Sequence, residues 1–463
     1  MTEKRRSVNL VYRYRMHTDL GMNRATPLGK WFTPGIGVKR WLVLLVLGII
    51  LEAYAITYGT VPHLYPDPVG GTPLGRLLIA AGILILGAAV ILVALIGFAR
   101  RLLAPYQAMH PTPVIDAVYT HSRRNKGLRV VAVGGGTGLP AVLKGLKAVT
   151  GNITAVVTVA DDGGSSGRLR RDLGVLPPGD LRNNIAALAD DESLMTRLFQ
   201  YRFNGGELAG HAFGNLFISA LSGVTGSLET ALVEIERVLN IQGSVYPSTL
   251  EDVTLSANIR VGGSARPVTV IGESQITAMN GTIEKVWISP VSAQAFPGSV
   301  AALREANLVI IGPGSLYTSI LPNLLVNGIV DALRNSDALK IYVCNIATQP
   351  GETTDFTVAD HILALERHIG RGVIQVVVAN NAYPQENAGV NTRYVQPTPA
   401  DHEVWQRYRV HYTDLVDTER PWRHDPQKLV KAILFLSEAE RTVNVAQRRA
   451  PAQDAQREAY TAS

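Results

Sequence analysis

Two long apolar runs separate the first part of the chain from the rest. Leu77–Phe98 is uncharged throughout, long enough at about 1.5 Å per residue to cross a hydrocarbon core about 30 Å thick. Trp41–Tyr58 is a weaker candidate because Glu52 lies within it, and a carboxylate is costly at membrane depth. Trp41, Tyr54 and Tyr58 resemble interfacial anchors near the ends of this run. The pattern predicts two membrane-spanning helices, the alternative being buried helices of a soluble fold.

Basic residues flank this pair. Residues 1–40 contain nine Lys and Arg against two acids, residues 99–130 contain six against one, and residues 59–75 contain no Lys or Arg. Positive residues mark the cytoplasmic side of a membrane protein. We therefore expect a two-pass transmembrane hairpin over residues 41–98 of the cell (inner) membrane, with both termini and the main domain in the cytoplasm. A basic segment (1–40) precedes it and a basic linker (99–128) follows.

After the linker, short β-branched runs alternate with amphipathic stretches, which is typical of an α/β domain with a parallel sheet. The predicted strands are Leu128–Val133, Ile153–Ala160, Asn307–Ile311, Lys340–Asn345 and Val373–Ala379. The predicted helices are Leu139–Val149, Leu181–Leu188, Leu216–Leu221, Leu228–Leu239, Tyr317–Leu325, Thr357–Ile369 and Pro426–Ser437. Residues 241–290 alternate with a period of two and predict an antiparallel excursion. We expect one domain over residues 129–438 and a polar tail over 439–463.

Six loops rich in Gly, Asp and Asn follow or closely trail these apolar runs. They read GGGTG (134–138), DDGGSSGR (161–168), PPGDLRNN (177–184), GHAFGN (210–215), GPGSLYTS (312–319) and NIATQPGET (345–353). Ligands of open parallel sheets collect beyond the carboxyl ends of the strands. Six such loops on one α/β pattern indicate a large phosphate-bearing ligand.

The first two loops carry the clearest phosphate chemistry. Gly134, Gly135, Gly136, Thr137 and Gly138 allow close backbone approach to a phosphate at a helix start, although a tight turn alone is the alternative. In the second loop, Asp161 and Asp162 can hold a hydrated Mg²⁺ or a ribose hydroxyl pair. The remaining candidates of that loop, as phosphate ligands, are Gly163, Gly164, Ser165, Ser166 and Arg168. The alternatives are a solvated helix face for Arg168 and a flexible surface loop for the whole segment.

The other loops supply polar side chains with several open roles. Asp180, with Asn183 beside it, is either a site residue or a helix N-cap. His211 and Asn215 are four apart; His211 is a general base, a hydrogen-bonding group for a sugar or phosphate, or a structural histidine. The later loops add Gly312, Gly314, Ser315, Tyr317, Thr318, Asn345 and Gln349. Tyr317 offers either a ring for base stacking or a phenol for hydrogen bonding. We assign no catalytic residue and no zinc site.

Composition narrows the class of protein. The formal net charge is +6, but the basic residues flank the apolar runs, which argues against nucleic acid as a partner. The single cysteine, Cys344, lies in an apolar run and suits a reducing compartment; a buried thiol is favoured over a nucleophile.

Eight strings in this chain resemble the YvcK family, also called the gluconeogenesis factor family, of the CofD superfamily. They are VVAVGGGTGL, VTVADDGGSSGRLR, PPGDLRNN, LFQYRF, GHAFGNLFISAL, VIIGPGSLYTSILPNLLV, TQPGETTDFTVADH and HDPQKLVKAIL, spanning roughly residues 129–435. The resemblance implies a Rossmann-like, mainly parallel sheet with helices on both faces. It also implies binding of UDP-sugars such as UDP-N-acetylglucosamine or UDP-glucose, and a role in cell shape and envelope precursor supply during gluconeogenic growth. The N-terminal hairpin departs from soluble family members.

The resemblance leaves two function classes open. One is a non-catalytic UDP-sugar-binding regulator at the membrane, which needs no cofactor and acts through a protein partner in cell-wall synthesis. The other is a CofD-like, Mg²⁺-dependent transferase of a phospholactyl-type group onto a deazaflavin. A dinucleotide such as NADP is a weaker candidate ligand because GxGxxG is missing. A homo-oligomer is a further expectation, and Thr357 is a conceivable target of Ser/Thr kinases.

Overall fold

The computed structural model describes residues 38–61, 72–109, 127–189, 193–262, 266–385 and 392–442. The chain divides into two compact units, Met1–Tyr119 and Thr120–Ser463. The predicted segment 1–40 thus lies almost wholly outside the described residues, as do the tail from 443 onward and most of the linker.

The first unit contains two long apolar helices, α1 (Lys39–Thr60) and α2 (Pro73–Met109). Small residues bring them together: a Cβ at Gly48 would lie 2.6 Å from Ile91 Cγ1, and one at Gly87 would lie 2.9 Å from Glu52 Cγ. Both helices are long and apolar enough to cross a membrane. The predicted pair of helices is therefore confirmed, and their length and composition are compatible with a hairpin that spans a bilayer.

The second unit is built on a seven-stranded sheet in the order β10-β9-β8-β7-β1-β2-β3, in which every neighbouring pair is parallel. Its strands are β1 (Val130–Gly134), β2 (Ile153–Val157), β3 (Ser244–Pro247), β7 (Leu308–Ile311), β8 (Leu339–Val343), β9 (Val376–Asn380) and β10 (Arg409–Thr413). The central strands are buried along their whole length. Helices cover both faces, as predicted, which explains the continuous apolar runs in the sequence.

The helices of this unit are mostly short. They are α3 (Leu139–Leu146), α4 (Gly164–Leu173), α5 (Gly179–Leu188), α6 (Leu194–Gln200), α7 (Phe213–Thr225), α8 (Leu228–Val238), α9 (Glu273–Ala278), α10 (Pro297–Glu305), α11 (Leu321–Leu324), α12 (Ile329–Arg334) and α13 (Val358–Ile369). A π-helical turn, Leu316–Ile320, precedes α11, and a 3₁₀ turn covers Glu403–Gln406. A last helix, α14, covers residues 426–442 of the described chain.

The antiparallel excursion predicted for residues 241–290 is present, with one correction. β4 (Thr254–Arg260), β5 (Val268–Ile271) and β6 (Thr282–Ser289) form a separate antiparallel sheet in the order β5-β4-β6. However, β3 lies within the same range and pairs in parallel with β2 in the main sheet. The period-two pattern detects strands but does not show which sheet a strand joins.

Two local predictions also need correction. Pro178 occupies the N-cap position of α5, so Asp180 lies in the first helical turn and is not the cap. α7 begins at Phe213 rather than at Leu216, because Ala212 is its N-cap. His211 therefore precedes the helix that carries Asn215, and the two do not share a helical face.

Candidate functional site

The order of the strands creates a switch point between β1 and β7. From β1 the chain proceeds to β2 and β3 on one side, whereas β7 leads to β8, β9 and β10 on the other. Loops that leave two such neighbouring strands diverge, and the crevice between them is the usual ligand position of this architecture. In this chain the two diverging loops are GGGTG and GPGS, both selected from the sequence.

The two glycine loops touch each other through their backbones. A Cβ at Gly138 would lie 2.6 Å from the carbonyl oxygen of Pro313, and a Cβ at Gly314 would lie 3.4 Å from that of Gly135. Gly136 and Gly312 adopt positive φ values of 63° and 81°, which side chains disfavour. Gly138 and Gly312 would therefore resist any larger residue, because of contact in one case and backbone conformation in the other.

A cleft of about 410 Å³ opens beside these loops. Six of the residues selected from the sequence line this cleft: Thr137, Gly138, Gly314, Ser315, Asn345 and Gln349. The volume falls within the range of about 300–1,000 Å³ that small-molecule sites occupy. The structure thus brings three loops, which are far apart in sequence, to one cavity.

Asn345 and Gln349 brace the second glycine loop. The Asn345 amide accepts a hydrogen bond from the Gly314 N–H at 3.1 Å and donates one to the Gly314 carbonyl at 2.8 Å. Gln349 Nε2 donates to Ser315 Oγ at 2.6 Å. These contacts hold the loop that lines the cleft, so both side chains position the site even before a ligand binds.

Three cationic residues line the cleft that the sequence analysis did not select. Lys144 lies on α3, and Arg420 and Arg423 belong to the segment before α14. Within the described residues, neither Lys144 nor Arg423 has a carboxylate partner within 4.0 Å, whereas Arg420 lies 3.7 Å from Asp417. Lys144 lies well inside its helix, yet that helix borders the cleft. The sequence shows that segment 420–423 is basic, but it does not show that this segment lies beside the cleft.

The adjoining cavity extends the site. It measures about 270 Å³ and shares Thr137, Lys144 and Arg423 with the cleft. Arg182, the predicted Asn183 and Gln200 add further polar groups to its lining. Arg182 donates to Asn215 Oδ1 at 3.0 Å and to Asn183 Oδ1 at 2.6 Å, which fixes the guanidinium. Three cationic side chains therefore contribute to the lining of each cavity.

His424 also lines the cleft and was missed. Its Nε2 lies 3.2 Å from the carbonyl oxygen of Cys344, and burial lowers its pKa to about 4. The ring is neutral at pH 7, and because a carbonyl only accepts, Nε2 carries the proton. Cys344 is itself buried, and burial raises the pKa of its thiol well above the usual range, as expected for a structural thiol rather than a nucleophile.

A hydrogen-bond network organises the second predicted loop. Arg168 Nε donates to His211 Nε2 at 3.1 Å, so His211 Nδ1 carries the proton and donates to Ser165 Oγ at 3.0 Å. Asn215 Nδ2 donates to the same oxygen, also at 3.0 Å. Burial and the nearby Arg168 charge lower the pKa of His211. In this tautomer His211 cannot accept the Ser165 proton, which favours its structural role over a general base.

Carboxylates gather at the end of β2. Asp161 Oδ1 accepts from the Gly163 N–H at 2.9 Å, and Asp162 Oδ1 accepts from the Ser274 N–H at 2.9 Å. Asp180 is half-buried and accepts from the Gly136 N–H; burial raises its pKa to about 6. Burial, followed by the Asp161 charge, raises the pKa of Glu273 to about 8.

Within the described residues no group of three His, Cys, Asp or Glu side chains has metal-binding geometry. Mg²⁺ at Asp161 and Asp162 stays a prediction.

Ser166 lies in tight packing rather than in the cleft. Ser166 is buried, and a Cβ at Gly179 of α5 would collide with its hydroxyl. Gly163 is the N-cap of α4, and Gly164 adopts a φ of 47°. The loop therefore docks α4 against α5.

Tyr317 does not offer its ring to a ligand. Its side chain is fully buried and packs edge-on against Phe356 and His368. Thr318 is also buried, and its hydroxyl donates to Glu352 Oε1 at 2.9 Å. Both residues belong to the π-helical turn, whose side chains pack into the core. The predicted base stacking by Tyr317 is wrong; the sequence pattern did not show which side of the turn faces the cleft.

Comparison with known proteins agrees with this architecture. The family model described as 2-phospho-L-lactate transferase CofD matches residues 130–416. A gluconeogenesis factor family member from Nostoc sp. is 41 % identical over 436 residues, covering 88 % of this chain and 91 % of its own. The gluconeogenesis factor of Bacillus subtilis is 48 % identical over 254 residues, covering 55 % of this chain and 78 % of its own.

A solved structure has a similar fold. The crystal structure of a UPF0052 family protein from Bacillus halodurans has a TM-score of 0.62 and 38 % identity, and the match covers 66 % of this chain and all of that one. The parallel sheet, its switch point and these relatives agree, and the chain belongs to the gluconeogenesis factor family with a CofD domain.

Proposed function

We propose that this chain is a membrane-anchored regulatory protein that binds a UDP-sugar, UDP-N-acetylglucosamine or UDP-glucose, in the cleft between β1 and β7. The observation that carries the proposal is the pairing of two glycine loops with Lys144 and Arg423, cations that have no carboxylate partner within 4.0 Å among the described residues. A diphosphate needs this combination, because backbone N–H groups and cations together satisfy its oxygens.

The rest of the cleft suits the uncharged parts of the ligand. Thr348 and Gln349 supply hydrogen-bonding groups at one wall, and Ile346 and Ala347 supply apolar surface. The adjoining cavity, with Asn183 and Gln200, offers amide groups for sugar hydroxyls. The proposal places the diphosphate at the wall that the two cavities share, where Thr137, Lys144 and Arg423 lie.

The two apolar helices support the location that we propose. They would hold the nucleotide-sugar site at the inner face of the cell membrane, where lipid-linked steps of envelope synthesis draw on UDP-sugars. The regulator would then report precursor supply to a protein partner in cell-wall synthesis and so affect cell shape during gluconeogenic growth. Homo-oligomerisation and modification at Thr357 by a Ser/Thr kinase remain parts of this hypothesis.

A CofD-like transferase is the second candidate, favoured by the family model and by the acidic groups at the end of β2. Asp161 and Asp162 are the residues that would hold Mg²⁺, and their negative surroundings suit a divalent cation. Mg²⁺ would supply charge neutralisation for a transferred phosphate-linked group. Ser165 is not an activated nucleophile for such a step, because His211 and Asn215 both donate to its oxygen.

Calorimetry on the full chain in detergent separates the candidates. UDP-N-acetylglucosamine, UDP-glucose, GDP and NADP⁺ are titrated with and without Mg²⁺, and each ligand is recovered and analysed afterwards. We expect selective binding of a UDP-sugar that is recovered intact. Preference for GDP, strict Mg²⁺ dependence or breakdown of the ligand would support the transferase, and absence of UDP-sugar binding would refute the regulator.

A further inference from the structure

A separate cavity lies at one end of the helical hairpin, in the first compact unit. It measures about 540 Å³ and is bordered by the first turn of α1 and by α2 from Val93 to Arg101. Three arginines line it: Arg40, Arg100 and Arg101. This is the end of the hairpin that the distribution of basic residues assigns to the cytoplasm.

The three arginines lack anionic partners within the described residues. None of them has a carboxylate within 4.0 Å, and their side chains are exposed. Arg40 lies over the Trp41 ring, with its guanidinium carbon 5.2 Å from the ring centroid. Three like charges around one cavity repel one another, so an anion between them would relieve that repulsion.

Trp41 forms a fixed wall of this cavity. Its ring lies flat on Gly97, where any Cβ would collide with three ring carbons. The indole N–H is buried and has no acceptor in the described part of the chain. This close contact between Trp41 of α1 and Gly97 of α2 packs the two helices together at the cavity, so the arginines lie around a defined packing contact.

The remaining walls are apolar and open outward. Val93 is 55 % exposed and Ile96 is 44 % exposed, one turn from the arginines. In a bilayer these side chains would meet acyl chains, while the arginines would lie at headgroup level. The cavity therefore combines a cationic end with an apolar side, which is the polarity of a phospholipid.

We propose that this cavity binds one anionic phospholipid, whose phosphate contacts Arg40, Arg100 and Arg101 and whose acyl chains lie along Val93 and Ile96. Arginine suits this role because its planar guanidinium donates two parallel hydrogen bonds to a phosphate. A lipid of net negative charge is favoured over a zwitterionic one, since no carboxylate in the described part of the chain lies within 4.0 Å of these arginines to meet a choline group. The inference rests on the proposed insertion of the hairpin into the membrane.

The test uses the full chain in nanodiscs that contain phosphatidylcholine with a minority of phosphatidylglycerol. Native mass spectrometry then counts the lipids that remain bound as the disc is stripped. We expect phosphatidylglycerol to be retained about fivefold above its share in the bilayer, with Arg40→Gln and Arg100→Gln each abolishing most of that enrichment. Lys39→Gln is the matched control, because Lys39 carries the same charge at the same helix end but does not line the cavity.

A second readout follows the lipid at Trp41. Brominated phosphatidylglycerol is expected to quench tryptophan emission more than brominated phosphatidylcholine at the same mole fraction, and Trp41→Phe is expected to remove that difference. The proposal would be overturned if the retained lipids matched the bulk proportions, or if Lys39→Gln lost the enrichment as fully as the arginine variants. It would also be overturned if soluble glycerol phosphate displaced the bound phosphatidylglycerol as effectively as added lipid did.

Extraction at alkaline pH separates the two hypotheses on which this inference depends. If the full chain is released from membranes by carbonate, the proposed insertion fails and the lipid site fails with it. If the chain stays in the membrane but shows no enrichment of phosphatidylglycerol, only the lipid site fails.

Discussion

The positions of single side chains determine where positive charge faces the cleft. Arg423 and Lys144 face the cavity without a carboxylate partner within 4.0 Å among the described residues, whereas Arg182 is held by Asn183 and Asn215. A free cation can give its full interaction to a phosphate, because no existing ion pair has to be broken. The positions of these side chains, more than their number, define the site.

The first prediction concerns Arg423. Replacing it by glutamine should weaken UDP-N-acetylglucosamine binding about tenfold or more, because a hydrogen bond to a charged group contributes about 1.5–3 kcal/mol. Calorimetry on the full chain in detergent measures the effect. Lys431→Gln is the control, because Lys431 is an exposed cation on the neighbouring helix α14 that does not line the cleft. Equal affinity of Arg423→Gln and wild type would remove Arg423 from the site.

Tyr317 gives a prediction about stability instead of binding. Tyr317→Ala should lower the free energy of unfolding by about 3–5 kcal/mol, because a fully buried aromatic ring leaves a cavity. Tyr317→Phe should be nearly neutral, since the phenol oxygen is buried and has no hydrogen-bond partner within the described residues. Urea unfolding of both variants measures this. A large loss of ligand affinity in a fully folded Tyr317→Phe protein would restore Tyr317 to the site.

The raised pKa of Glu273 leads to a prediction that the stability of the protein depends on pH. Burial, followed by the Asp161 charge, raises its pKa from 4.5 to about 8, so the folded state binds a proton more tightly than the unfolded state does. Stability is therefore expected to fall as the pH rises from 4.5 to about 8. Glu273→Gln should flatten that slope, as measured by urea unfolding at several pH values. The exposed carboxylate of Glu229 serves as control; a slope that Glu229→Gln changes as much would contradict the assignment.

At the scale of elements, the start of each helix determines which side chains meet. α7 begins at Phe213, so His211 lies outside it and reaches Ser165 from the preceding segment. The sequence predicted that these residues were important but not that they contact one another. Asn215 and His211 both reach Ser165 of α4, and Arg168 of the same helix contacts His211, because α4 and α7 pack together, which local propensity cannot specify.

The helix α13 offers a prediction about capping. Thr357 and Asp360 form a reciprocal capping box: the Thr357 hydroxyl accepts from the Asp360 N–H, and Asp360 Oδ2 accepts from the Thr357 N–H at 2.8 Å. Thr357→Ala should cost about 1 kcal/mol of unfolding free energy, and Thr357→Ser much less. Chemical denaturation checks both. Equal losses in the two variants would assign the effect to the methyl group rather than to the cap.

For the whole molecule, the division into two compact units leads to a prediction. Deleting residues 1–119 should yield a soluble fragment that binds UDP-N-acetylglucosamine with the affinity of the full chain, because the residues that line the cleft all belong to the second unit. Sedimentation with membranes and calorimetry measure the two parts of the prediction. A fragment that still sediments with membranes would mean that residues 1–119 are not the sole anchor.

The sequence by itself determined the two apolar helices, the α/β class and the loops that follow β1, β2, β7 and β8. These features are local: an apolar run or a glycine cluster carries the same information wherever it lies in the fold. The family resemblance was also available at this level, because it rests on contiguous strings. The bounds of the central strands differed from the prediction by only a few residues.

Only the tertiary structure decided which of these loops share a cavity. The switch point between β1 and β7 brings GGGTG beside GPGS, and the packing of α3 and the segment before α14 adds Lys144 and Arg423. The same packing buries Tyr317 and joins β3 to the parallel sheet. Strand order and side-chain direction depend on contacts between residues far apart in the chain, and a one-dimensional pattern carries no such distances.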